Sequence, residues 1–328
     1  MAANILTVNK AEVKRKLPDK FVLLCFASFE ERSTTVPLSL NVEQIERAIV
    51  YKSLSVENQS SLDKICEKIP DCTIVELDLN NPVSTAGMLT NSIKEIISSG
   101  EVPLVIDVTT FTHEALTMLL KLIYENRRSF SSVFCLYNGA SDYSNSKQDG
   151  LKQMWLSKGC RDVRNVVGYP GMLRPIAKTC LIILTGFELE RATRLIEILE
   201  PDKLALGRGI EPTHDDNQKA MDHFRTELEK WKKNYANSNY MDFDFSCKDV
   251  DKAVEVLDSL IAANPDDNFI IVPLNTKLST VAASIVALRN RKVQVCYAVP
   301  ELYNTQNYSS PSENITIFDL FNYGVFSQ

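Results

Sequence analysis

Two pairs of short segments hold the side chains best suited to chemistry. The first pair is Ser28-Phe-Glu-Glu-Arg32 and Thr185-Gly-Phe-Glu-Leu-Glu-Arg191. An arginine in the first turn of a helix, beside the free amides of its N-terminus, suits a phosphate or another anion. The same residues also fit a purely structural pattern, S/T-x-x-E, in Ser28 to Glu31 and Thr185 to Glu188. There the hydroxyl caps the helix and the carboxylate reaches back to the cap amide, a device worth about 1 kcal/mol. Arg32 can equally pair with Glu30 or Glu31. The second pair is Val105-Ile-Asp-Val-Thr-Thr-Phe-Thr-His-Glu114 and Asn275-Thr-Lys-Leu-Ser279. Asp107, Thr109, Thr110, Thr112 and His113 offer an acid, three hydroxyls and an imidazole before an apolar helix, a set that suits phosphate or ribose oxygens. The structural alternative is an N-cap with a buried Asp satisfied by local amides.

The ligand-binding candidates are therefore Ser28, Arg32, Asp107, Thr109, Thr110, Thr112, Gly186, Arg191, Asn275, Thr276 and Lys277. Glu31 and His113 are the groups that could move a proton. No nucleophile-base pair is visible by spacing, so no catalytic residue is assigned. The three histidines, His113, His214 and His223, form no ligand pair, and the eight cysteines contain no C-x-x-C, so neither a metal nor a cofactor is expected. His214-Asp215-Asp216 follows a proline and reads as a helix start, and Lys14-Arg-Lys16 and Lys230-Trp-Lys-Lys233 read as solvated helix faces.

Positioning these loops requires strands before them and helices after them. Apolar, β-branched runs predict strands over Phe21–Ala27, Ala48–Ser53, Thr73–Leu79, Leu104–Val108 and Val133–Tyr137. A second set is predicted over Thr179–Thr185, Lys203–Arg208, Met241–Phe245, Phe269–Leu274 and Val293–Ala298. Helical periodicity runs over Asn217–Trp231, Val250–Ala263 and Thr276–Leu288. The two sets follow one order. Lys52 matches Arg208 at the end of the second strand, and Tyr137 matches Tyr297 in the fifth. Near-continuous apolar strands alternating with helices imply parallel sheets buried on both faces. The fold class expected is α/β, a tandem duplication of two Rossmann-like, five-stranded parallel-sheet domains. Gly168-Tyr-Pro-Gly171 and Pro175 supply turn residues, which places the boundary at residue 172, with domain 1 over 1–172 and domain 2 over 173–328. Ligands in such sheets bind beyond the carboxyl ends of the first and fourth strands, where the order reverses.

Composition narrows the function classes. The chain has 328 residues, 45% of them hydrophobic, which suits about two domains. A net charge of −6 gives no general pull towards a nucleic-acid backbone. The longest apolar stretches are strand-sized, so no membrane span or leader is expected, and the scattered cysteines fit a reducing cytoplasm. The apolar cluster of Phe318, Leu320, Phe321, Tyr323, Val325 and Phe326 is expected to pack on its own domain.

At the fourth-strand loop the sequence resembles the CARF and SAVED ligand-sensing domains of prokaryotic antiviral systems. In that family the loop runs Asn/Asp-x-Thr-Gly-Gly-Thr-Lys before a helix. Asp107-Val-Thr109-Thr-Phe-Thr112-His113 keeps the first, third and sixth positions, lacks both glycines and has His in place of Lys. Leu274-Asn-Thr-Lys277 is a looser echo, and a fused tandem pair is similar to the SAVED type. The same stretch is also similar, more weakly, to the phosphoribosyltransferase loop, without its second acid and glycine. The CARF and SAVED resemblance implies Rossmann-like modules that bind a nucleotide or cyclic oligonucleotide and pass the signal to an effector or complex partner protein. Some members cleave their own ligand, so a ring-nuclease-like, phosphoester- or nucleotide-processing enzyme is the alternative, and a ligand-free scaffold subunit is a third.

Overall fold

The computed structural model describes residues 5–55, 59–98, 100–143, 156–212, 218–235, 239–305 and 308–327. The chain divides into two compact units, Met1–Ser141 with Ser309–Gln328, and Asp142–Tyr308. The division thus falls near residue 141, not 172, and the C-terminal segment belongs to the first unit.

The first unit contains β1 (Leu6–Asn9), β2 (Phe21–Ala27), α1 (Arg32–Ser39), β3 (Ile45–Ser53), α2 (Gln59–Lys68), β4 (Thr73–Leu77) and α3 (Pro82–Ile97). It continues through β5 (Val102–Asp107), α4 (His113–Glu125) and β6 (Phe130–Tyr137), and β7 (Ala140–Tyr143) runs across the division at residue 141. The second unit contains β8 (Ser157–Lys158), β9 (Asp162–Asn165), β10 (Thr179–Leu184), α5 (Leu189–Leu199), β11 (Lys203–Ile210), α6 (Gln218–Lys232), β12 (Tyr240–Ser246) and α7 (Val250–Ala263). After it come β13 (Asn268–Pro273), α8 (Lys277–Arg289), β14 (Val293–Val299) and β15 (Leu302–Tyr303). The chain then returns to the first unit as β16 (Ser309–Pro311) and β17 (Asn314–Asp319).

The first sheet runs β1-β17-β6-β5-β2-β3-β4. Strands β2 to β6 are mutually parallel, while β17 lies antiparallel to β6 and β1 antiparallel to β17. The second sheet runs β12-β11-β10-β13-β14-β9, parallel except for β9. Numbered in chain order, the five parallel strands of each sheet lie 3-2-1-4-5, the order that reverses between the first and fourth strands. The sheets have seven and six strands rather than five. The additional strands β1, β9 and β17 lie outside the strand-helix alternation, and β1 and β9 have only four residues each, so the alternation did not reveal them.

Burial explains why the central strands read as continuous apolar runs. Every residue of β2, β13 and β14 is buried, which a strand achieves only with a layer on each face. In the first unit Val36 of α1 and Leu62 and Ile65 of α2 meet Leu23, Cys25, Ala48, Val50 and Val105. In the second, Ala192 and Leu195 of α5 meet Leu181, Ile183, Leu204, Leu206, Ile270 and Val272. One cross-strand ion pair recurs at the same place in both sheets. Lys52 lies opposite Glu76 at 2.8 Å, and Arg208 lies opposite Asp244 at 2.7 Å, each joining strands two and three.

The apolar C-terminal cluster is buried through Phe318, Leu320, Tyr323 and Phe326. It packs on the first unit because β17 adds to β6, and Phe326 meets the ring of Tyr124 edge-on. Among the described residues no helix is long and apolar enough to cross a membrane.

Candidate functional site

The two first-strand loops use their charges internally, and in the same way. The Arg32 guanidinium donates to Oε2 of Glu30 at 2.5 Å, to Ser309 Oγ and to the carbonyl of Asn138. Arg191 donates to Oε2 of Glu188 at 3.0 Å and to the carbonyl of Ala298. Asn138 and Ala298 each follow the tyrosine matched between the fifth strands. All four side chains of the two ion pairs are under 9% exposed. Both arginines therefore tie the first loop to the end of strand five. Burial pushes the Arg191 guanidinium down, but Glu188 together with Tyr297 and Tyr303 more than offsets it and holds the group above its ordinary range.

This arrangement corrects the expected caps. Helices α1 and α5 begin at Arg32 and Leu189, and neither has a side-chain cap. Ser28 Oγ instead accepts weakly from the Glu30 amide, and Thr185 Oγ1 donates to the Gly207 carbonyl. Glu188, expected to reach back to the cap amide, is recruited by the buried arginine and by the Ser157 amide. Glu31 is exposed at the start of α1.

In the first unit the fourth loop closes the reversal point. Thr110 Oγ1 donates to the Phe26 carbonyl at 2.7 Å, and Phe111 packs its ring against those of Phe26 and Tyr51. Thr109 Oγ1 accepts from the Asn138 amide, and Thr112 caps α4 through the Ala115 amide. Asp107 Oδ1 accepts from the Thr109 amide, while Oδ2 is buried with no hydrogen-bond partner. Burial pushes the carboxyl up to about 7, against lowering contributions from Thr109 and Arg32. His113 opens α4 and is nearly buried.

In the second unit the same edge is more open. Asn275, Thr276 and Lys277 are half-exposed; Thr276 caps α8 through the Ser279 amide and donates to the Cys247 carbonyl. Asn275 donates to the Thr185 carbonyl and accepts from Cys247 Sγ. Gly186 lies so close to Leu274 that a Cβ would overlap its carbonyl oxygen. Around this cluster stand the Arg208–Asp244 pair and Glu211, which accepts from Ser246 and Lys252. Glu211 has φ of 57°, a left-handed conformation uncommon for a side chain of its size. Hydrogen bonds from Ser246 and Lys252 hold its carboxyl below the ordinary range. Burial lifts the Cys247 thiol to about 12, which keeps it protonated and unsuited to nucleophilic work.

The structure thus gathers Gly186, Asn275, Thr276 and Lys277 at one edge of the second unit. In the first unit, Ser28, Arg32, Asp107, Thr109 and Thr110 lie at the corresponding edge but are buried. Sequence reasoning missed Glu211, Ser246 and Cys247, whose only signal was their position at the ends of strands two and three. The stretch His214-Asp215-Asp216 lies outside the described residues. Among those that are described, no group of three or more His, Cys, Asp or Glu could hold a metal ion. A cavity of about 720 Å³ in the first unit lies beside α1, with Lys10, Lys14, Glu31, Thr35 and Lys68 in its wall; of the candidate residues only Glu31 borders it.

No protein-family profile matches the chain, and no curated protein does. Among solved structures the chain is similar to NADPH-bound carbonyl reductase from chicken fatty liver. The identity is 8%, over 73% of this chain and 80% of that one, with a TM-score of 0.27. At that score the likeness defines neither a shared fold nor a shared site.

Proposed function

We propose that this chain is a ligand-sensing module made of two copies of one Rossmann-like unit, with the binding edge kept in the second. The ligand is a nucleotide-derived anion, a cyclic oligonucleotide in the reading taken from the fourth-loop resemblance. That reading places the protein in prokaryotic antiviral defence, in the cytoplasm, passing occupancy to a partner protein. The observation that carries the proposal is the half-exposed Asn275-Thr276-Lys277 at the start of α8, where the order of the sheet reverses. Backbone amides, a cation and polar side chains there suit phosphate oxygens. The matched ion pairs Arg32–Glu30 and Arg191–Glu188 support descent of both units from one ancestor. The plug formed by Phe111 supports a structural role for the first unit.

The test is a thermal-shift screen against mononucleotides, dinucleotides and cyclic oligonucleotides, each mixture then analysed by mass spectrometry. A ligand at 100 times its Kd adds about 2.7 kcal/mol to the native state. Stabilisation by an intact ligand, lost in Lys277→Ala, is the expected result. A consumed ligand would favour a processing enzyme, with Glu31 and His113 the first residues to replace. No shift with any member would overturn the sensor and favour the ligand-free scaffold, a reading already suggested by how many loop hydroxyls and arginines are spent internally.

A further inference from the structure

Outside the edges of the sheets, one pair of reactive groups stands together. Cys66 in the last turn of α2 and Cys72 just before β4 have their sulfurs 3.2 Å apart, and both are free thiols and half-buried. The turn between them is fixed by backbone hydrogen bonds, the Ile69 amide donating to the Ile65 carbonyl and the Cys72 amide to the Ile69 carbonyl. A disulfide needs sulfurs about 2.05 Å apart, so closure brings the two sulfurs together by roughly an ångström.

We propose that Cys66 and Cys72 form a redox-modification site, converted to an intramolecular disulfide by low-molecular-weight disulfides such as oxidised glutathione. One cysteine, as thiolate, attacks a sulfur of the oxidised glutathione, forming a mixed disulfide and releasing one reduced glutathione. The second cysteine attacks the protein sulfur of that mixed disulfide and releases the other. Two electrons pass from the cysteine pair to one glutathione disulfide, which leaves as two thiols once each departing thiolate takes up the proton lost by its attacker. Burial and the Cys66 sulfur raise the Cys72 thiol above its ordinary range, so Cys72 is a slow attacking thiol. The other thiols are placed differently. Cys25 is fully buried in β2, and half-exposed Cys160 directs its sulfur to the Asp162 carbonyl. The bond would also fix the turn carrying Lys68, which stands in the wall of the cavity beside α1.

Trypsin separates the two cysteines, placing Cys66 in the peptide 65–68 and Cys72 in the peptide 69–94. The folded full-length chain is equilibrated with glutathione at a series of disulfide-to-thiol ratios, alkylated, denatured, digested and mapped by mass. The expected product is 65–68 joined to 69–94, with the intact protein lighter by about 2 Da at this site. Cys66→Ser and Cys72→Ser should each abolish the linkage and leave the remaining cysteine carrying one glutathione. Recovery of both peptides unlinked at every ratio, each alkylated or separately glutathionylated, would overturn the proposal. So would linkage of either cysteine to Cys25 instead.

Discussion

Asp107 holds one carboxylate oxygen on the Thr109 amide and leaves the other in the interior without a partner. Its pKa of about 7 lies above the value near 3.9 of an unfolded aspartate, so the native state binds the proton more tightly. The stability this group contributes is complete below about pH 4 and is lost as pH rises through about 7. Relative to Asp107→Asn, the wild type should therefore lose a few kcal/mol between pH 4 and 8, read from urea unfolding at intervals across that range. A constant difference across the range would show that the carboxylate is charged throughout. The residues themselves were legible: Asp107, the three threonines, Arg32 and Arg191 all lie where strand ends meet helix starts. Their destinations were not. The carbonyls that receive Arg32 and Arg191 are 106 and 107 positions away in the chain, and no local pattern encodes such a partner.

Elements were the most readable level. All ten parallel strands lie within a few residues of the expected bounds; β2, β13 and β14, covered on both faces, are buried along their whole length, whereas the edge strands β4 and β12 are partly exposed and were read from shorter apolar stretches. Helix starts were less readable, since S/T-x-x-E states who can cap and not whether a buried arginine claims the glutamate first. At Gly186 the constraint is close approach of backbone to backbone. A methyl at that position meets the Leu274 carbonyl oxygen and, at 2.9 Å, its carbon, neither of which can rotate away. Gly186→Ala should cost about 2–3 kcal/mol by forcing β10 from β13. Gly87, inside α3 with nothing within 4 Å of an added Cβ, is the contrast. Gly87→Ala should gain up to about 1 kcal/mol from helix propensity. Equal effects in urea unfolding would contradict this account of Gly186.

For the whole molecule, residues 309–328 matter beyond their number. Strand β17 stands between β6 and β1, and the segment buries Phe318, Leu320, Tyr323 and Phe326. A chain ending at Tyr308 should expose the edge of β6, aggregate on size-exclusion chromatography, and leave a protease-resistant fragment within 142–308. A soluble monomer with unchanged melting would contradict this. The sequence offered Gly168 to Pro175 as a boundary because those residues do turn the chain; they do so inside the second unit, where Tyr169 and Met172 bond to β14 and Arg291. A division into discontinuous pieces has no signature in a linear reading.

That discontinuity also sets an order of events during synthesis. The ribosome releases the whole second unit before it reaches the strand that completes the first sheet. At about 5–20 residues per second, β6 waits on the order of ten to thirty seconds for its neighbour. Through that interval the first half of the newborn chain has an open edge while the later-made middle is free to finish, so the unit begun first is the one completed last.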